Sequence, residues 1–103
     1  MSVNAATILE NSARRLFPNL SLDQALAELL LERAQKNLIK YQAMARQFET
    51  KYHQDFETFR QQVLGSEPTG EMEQDYFDWE LAVTGVADMI EEIKRLRNLD
   101  QLS

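Results

Sequence analysis

From Leu22 to Tyr52 the chain runs for about nine helical turns without a glycine or a proline. Within that stretch Leu30, Ala34, Asn37, Tyr41, Met44 and Phe48 follow one another at alternating steps of four and three. That is the spacing of a helical seam buried against another helix, and Leu26, Leu38, Ala45 and Tyr52 widen it. A second seam lies further along. Met72, Tyr76, Trp79, Val83, Val86, Ile90 and Ile93 repeat the same alternation without a miss. Two seams of similar length leave little room for any class but all-α.

Local signals place the ends of these elements. Ser21 and Gln24 have capping-box spacing, so the first long helix starts after Ser21. The second opens on acids (Glu71, Glu73, Asp75, Asp78, Glu80) and closes on bases (Lys94, Arg95, Arg97), the polarity that complements a helix dipole. Between the two, Asp55 can cap a short helix whose Phe56, Phe59 and Val63 share a face. Gly65 is placed to stop it in the left-handed conformation, and Gly65-Ser66-Glu67-Pro68-Thr69-Gly70 reads as a loop. Before Pro18, residues 4–17 read as a weakly apolar terminal helix, ended because proline restricts Phe17.

The expected fold is therefore an antiparallel hairpin of two long helices, about 21–52 and 71–99, with short helices at 4–17 and 56–64. It forms one domain, 1–103, in which residues 1–20 are weakly attached. Pairing the seams outward from the connection sets Phe48 near Tyr76, Tyr41 near Val83, Asn37 near Val86 and Leu30 near Ile93. Gly85 then falls beside the seam, and reads either as a close helix crossing or as a tolerated surface glycine. Asn37 reads either as a register-fixing polar seam residue or as a surface residue. A two-helix hairpin buries each helix on one side only, so Leu22, Leu29, Phe77, Leu81, Ala82 and Met89 call for a cover. Either the short helices or a second chain supplies one, and a dimer forming a four-helix bundle is the favoured reading.

Charge narrows the partners. Of the net charge of -6, residues 1–19 carry +1, residues 20–64 carry zero and residues 65–103 carry -7. Such a chain lacks the electrostatic drive for phosphate backbones, so no direct nucleic acid is expected, whereas a basic protein suits the acidic half. The one basic doublet of the N-terminal part, Arg14-Arg15, is read as surface arginine. No apolar run reaches the roughly 20 residues that cross a bilayer, the start lacks signal-peptide character, and a cytoplasmic location is expected.

The sequence offers no catalytic constellation. With no cysteine, thiol chemistry and cysteine-ligated metals are out. The single histidine, His53, follows Thr50 by three, so the Glu-x-x-His pair of carboxylate metal sites is missing. Glu71, Asp75 and Asp78 share a face, which reads as a solvated, dipole-favoured first turn rather than a cation site. The serines sit at termini, caps or the loop without an oriented base, and no Lys-Ser/Thr follows Gly70 to make a phosphate loop. No enzyme activity, catalytic residue, metal or cofactor is expected. Eight aromatics (Tyr41, Phe48, Tyr52, Phe56, Phe59, Tyr76, Phe77, Trp79) converge near the connection, more than the end of a two-helix hairpin can hide. Most should be core, and some should anchor a partner.

The set Lys40-Tyr41, Phe48-Glu49, Lys51-Tyr52, Phe56 and Phe59, then Asp75-Tyr76 and Trp79-Glu80, resembles that of small helical proteins of cyanobacteria and archaea predicted to be antitoxins of toxin–antitoxin pairs. The resemblance spans roughly residues 26–99. It implies an acidic helical protein that wraps and neutralises a small toxin. Residues 1–25 lie outside it and are too weakly basic for the DNA-binding domain many antitoxins carry. On this reading Glu73, Asp75, Phe77, Asp78, Trp79 and Glu80 bind a small basic toxin-like partner. Leu30, Asn37, Tyr41, Met44, Phe48, Tyr76, Val83, Val86, Ile90 and Ile93 form the core or oligomer seam. The competing reading is a self-assembling structural homo-oligomer without a toxin.

Overall fold

A computed structural model describes residues 4–99. They form four helices and no strand: α1 (Ala5–Leu16), α2 (Leu22–Tyr52), α3 (Phe56–Leu64) and α4 (Gly70–Arg97). The all-α class and the pairing of the two long helices are as expected, since α2 packs along α4, α3 packs on α4, and α1 packs on α2.

Each helix starts on a side chain that accepts from an otherwise unpaired amide. Asn4 accepts from the Ala6 N–H at 2.8 Å. Ser21 accepts from the Gln24 N–H at 3.1 Å while the Gln24 side chain accepts from the Ser21 N–H at 2.8 Å, completing the capping box. Asp55 accepts from Thr58 at 2.8 Å, and Thr69 from Met72 at 3.2 Å. Thr69 therefore fixes the start of α4 one residue earlier than the acidic run suggested.

The left-handed residue sits elsewhere than expected. Gly65 closes α3 with φ -94°, an ordinary conformation. His53, exposed at the end of α2, holds φ 53° instead and turns the chain toward Asp55. Histidine tolerates that region better than branched residues do.

The core sits at the connection end. Phe59, Val63 and Trp79 are buried together, and Ala45, Phe48, Tyr52, Phe56, Met72 and Tyr76 pack around them. Trp79 is 0 % exposed, with four rings within reach: Phe59 at 5.2 Å, Phe56 at 5.5 Å, Phe48 at 5.7 Å and Tyr52 at 6.2 Å between centroids. Such pairs add about 0.5–1.5 kcal/mol each beyond the area they bury.

The register corrects the expected pairing. Phe48 stacks on Trp79 rather than meeting Tyr76, and Tyr41 lies against Gly85 rather than Val83. α4 is thus engaged two or three residues further along, and also rotated. Its buried positions are Trp79, Ala82, Gly85 and Ile93, while Val83 and Ile90 are partly exposed. Small residues explain the rotation. Ala82 is fully buried, and Gly85 lets α2 approach closely: a Cβ built on Gly85 would stand 2.6 Å from the Tyr41 ring. Gly85 marks a close crossing, not a tolerated surface glycine. Of the other seam positions, Asn37, Met44, Tyr76 and Val86 are half-buried. Leu30, expected opposite Ile93, is 49 % exposed, whereas Ala34 and Ile93 are both buried.

Continuing that register sets Arg97, the last residue of α4, near the Leu29–Leu30 turn of α2. The first turns of α2 therefore project past α4, and α1 lies against them. α1 has no buried residue. The molecule is elongated, with extents of 62 × 36 × 20 Å and a radius of gyration of 20.1 Å, against about 13 Å for a compact chain of 100 residues.

Candidate functional site

The six residues assigned to partner binding divide between the two sides of α4. Steps of 100° per residue put Glu73, Phe77, Glu80, Leu81, Thr84 and Asp88 on the side opposite Trp79. Phe77 and Leu81 are each 57 % exposed there, one turn apart. Glu73, Glu80 and Asp88 are exposed around them. Phe77 meets its own chain through Tyr76, edge-on at 5.7 Å.

Trp79 does not belong to this face. It is the most enclosed side chain of the core, so it cannot meet a partner in this fold. The sequence pattern that paired it with Phe77 joined two residues whose directions differ by about 160° around the helix. The Trp79 Nε1–H is buried and has no hydrogen-bond partner among the described residues.

Asp75 is also engaged within the chain. Its carboxylate accepts from Lys51 Nζ at 2.6 Å and from the Tyr52 hydroxyl. Lys51 donates as well to Glu71 at 2.8 Å. Burial pushes the Asp75 carboxyl up, but the Lys51 and Tyr52 hydrogen bonds outweigh it and hold Asp75 below the usual carboxylate range. Burial first, then the bond to Asp75, raises the Tyr52 phenol above its ordinary value. The bonds to Asp75 and Glu71 raise the Lys51 ammonium. The Glu71–Asp75 pair thus already has a cation, supplied by α2, and this network ties the two long helices together beside the core. Asp78 is half-buried and accepts from Gln74 at 3.0 Å. Among the described residues no group of three or more His, Cys, Asp or Glu is placed to hold a metal ion.

What remains free on the side of α4 opposite Trp79 is an apolar pair, Phe77 and Leu81, framed by Glu73, Glu80 and Asp88. Leu81, Asp88 and the Lys51–Asp75 connection were not singled out from the sequence for this role. Projecting α4 opposite Trp79 recovers the first two. The third needed the register, because Lys51 and Asp75 are 24 residues apart.

A second apolar surface lies at the far end of the molecule. Ala6, Leu9, Ala13 and Leu16 of α1 face Leu22, Ala25, Leu26 and Leu29 of α2 across a groove of about 450 Å³. The two α1 arginines, Arg14 and Arg15, are exposed in its last turn, where they complement the helix dipole. Among the described residues no helix is long and apolar enough to cross a membrane.

Comparison of the chain with protein families, with curated proteins and with solved structures finds no match. The likeness to antitoxins rests on the pattern of aromatic and charged residues alone.

Proposed function

We propose that this chain is a non-catalytic protein-binding module of the antitoxin kind, which occludes a small basic partner with the outer face of α4. The observation that carries the reading is the placement of Phe77 and Leu81. Both are more than half exposed, adjacent on one helical face, and unused by the core. Isolated exposed apolar side chains are ordinary on a protein surface. A pair within a frame of acids, in a half-chain of net charge -7, has a definite complement: an apolar spot rimmed by lysine and arginine. The acids steer the encounter and Phe77 and Leu81 seal it. Asp75 contributes indirectly, by holding α4 against α2 through Lys51 and Tyr52.

The test is co-expression with the product of the neighbouring reading frame. A basic protein should co-purify, and Phe77→Ser with Leu81→Ser should release it. Glu73→Gln with Glu80→Gln should slow association, most visibly at low salt. If no basic protein co-purifies, or if the double serine variant retains it, the reading is wrong.

A further inference from the structure

We propose that the groove between α1 and the first turns of α2 is a homodimer interface, covered by the same two helices of a second copy in a four-helix bundle. This does not depend on the partner reading for α4, since the two surfaces lie on different elements.

Area is the first argument. The chain exposes 7972 Å². A compact monomer of 12.0 kDa exposes about 6,000 Å², so roughly 2,000 Å² is in excess. A standard stable interface needs about 800 Å² per partner. Half of the exposed apolar side chains fall at one end: among the described residues, seven of the fourteen large apolar side chains left exposed lie between Ile8 and Leu30. Leu16 is 74 % exposed although it lies on a groove-lining stripe.

Shape is the second argument. Ala6, Leu9, Ala13 and Leu16 are spaced three, four and three along α1; Leu22, Leu26 and Leu29 are spaced four and three along α2. These are seams of helices that pack at a shallow angle against further helices. Two joined helices presenting both seams to one groove make half of a four-helix bundle. A two-fold axis supplies the other half with an identical pair, which is the usual closed arrangement of a homodimer.

Charge selects a second copy at this end rather than along α4. Residues 65–103 carry -7, and two such halves face to face would repel. Residues 4–30 hold three acids and two bases, so two copies can meet here almost without repulsion. The dimer would leave both acidic α4 faces outward.

Sedimentation equilibrium of the full chain at micromolar concentration tests this. The expected mass is about 24 kDa, twice the chain mass. Leu26→Glu should return it to the monomer and weaken self-association by about 30-fold or more, as for a central interface residue. Trp79 emission reports folding independently, because its core lies at the other end. If Leu26→Glu alters that emission, Leu9→Glu on α1 replaces it, since α1 has no buried residue to lose. Leu81→Glu should leave the dimer intact. A monomeric wild type overturns the proposal. So does a dimer that resists both groove variants, or one that dissociates with Leu81→Glu instead.

Discussion

Replacing Gly85 with alanine adds one methyl group where α4 packs against the Tyr41 ring of α2. In an isolated helix that change is favourable by about 1 kcal/mol. Here the new Cβ would stand 2.6 Å from Cγ and Cδ2 and 2.7 Å from Cδ1 of Tyr41. Carbon atoms rest near 3.5–4.0 Å, so the ring or the helix must move by about 1 Å. The contacted atoms are at the near end of the ring, beside its own Cβ, so side-chain rotation alone gives little relief. Overpacking of this kind costs typically 1–3 kcal/mol. The opposing terms leave Gly85→Ala neutral to about 2 kcal/mol destabilising. The decisive quantity is the coupling. With Tyr41→Ala the obstacle is gone, and the same Gly85→Ala substitution should stabilise by about 1 kcal/mol. The double-mutant cycle should therefore return a coupling of about 1–3 kcal/mol. Urea unfolding followed by Trp79 emission measures all four corners. If Gly85→Ala stabilises both backgrounds equally, Tyr41 does not sit on Gly85 and the register described above is wrong.

Other expectations can be checked on the same footing. Trp79→Ala should cost about 3–5 kcal/mol, as for an aromatic removed from a packed core. Trp79→Phe should cost much less, because it also removes a buried N–H without a partner; equal losses by far-UV circular dichroism would count against that environment. Asp75 has a lowered pKa, so its contribution is complete above the unfolded value of about 3.9 and disappears as pH falls through the folded one. Asp75→Asn should flatten the acid limb of the stability–pH curve, and an unchanged limb would show that the Lys51–Tyr52–Asp75 network is not formed. Tyr52 and Lys51 are shifted upward, so their contributions are complete below about pH 10 and fade as pH rises through the folded values. Tyr52→Phe should reduce the alkaline loss, measured by the same unfolding titration.

Fold class and element ends were legible because they are written locally. Ser21 with Gln24, Asp55 before Phe56, and the Gly65–Gly70 stretch each act within a few residues. The aromatic convergence was legible too, since the connection is short enough to bring Phe56 and Phe59 back onto the long helices. Register was not. Both seams have the same period, so sliding one helix by about a turn preserves the pattern, and bulky positions drew the expected seam onto Val83 and Ile90. The fold instead buries the small residues Ala82 and Gly85, with the Tyr41 ring of α2 against Gly85. The same preference for bulk put Trp79 on the binding face. Its neighbours Phe77 and Leu81, lying across the helix, are the exposed ones. The left-handed turn fell to His53 rather than Gly65 because the change of direction occurs directly after Tyr52, where the chain has no glycine.

The most direct measurement is site-specific photo-cross-linking in cells, with the reactive group at position 81 on the outer face of α4. The expected product joins this chain to one small basic protein and is reduced, not abolished, by Glu73→Gln with Glu80→Gln. Cross-links only to further copies of the same chain, or none at all, would contradict it.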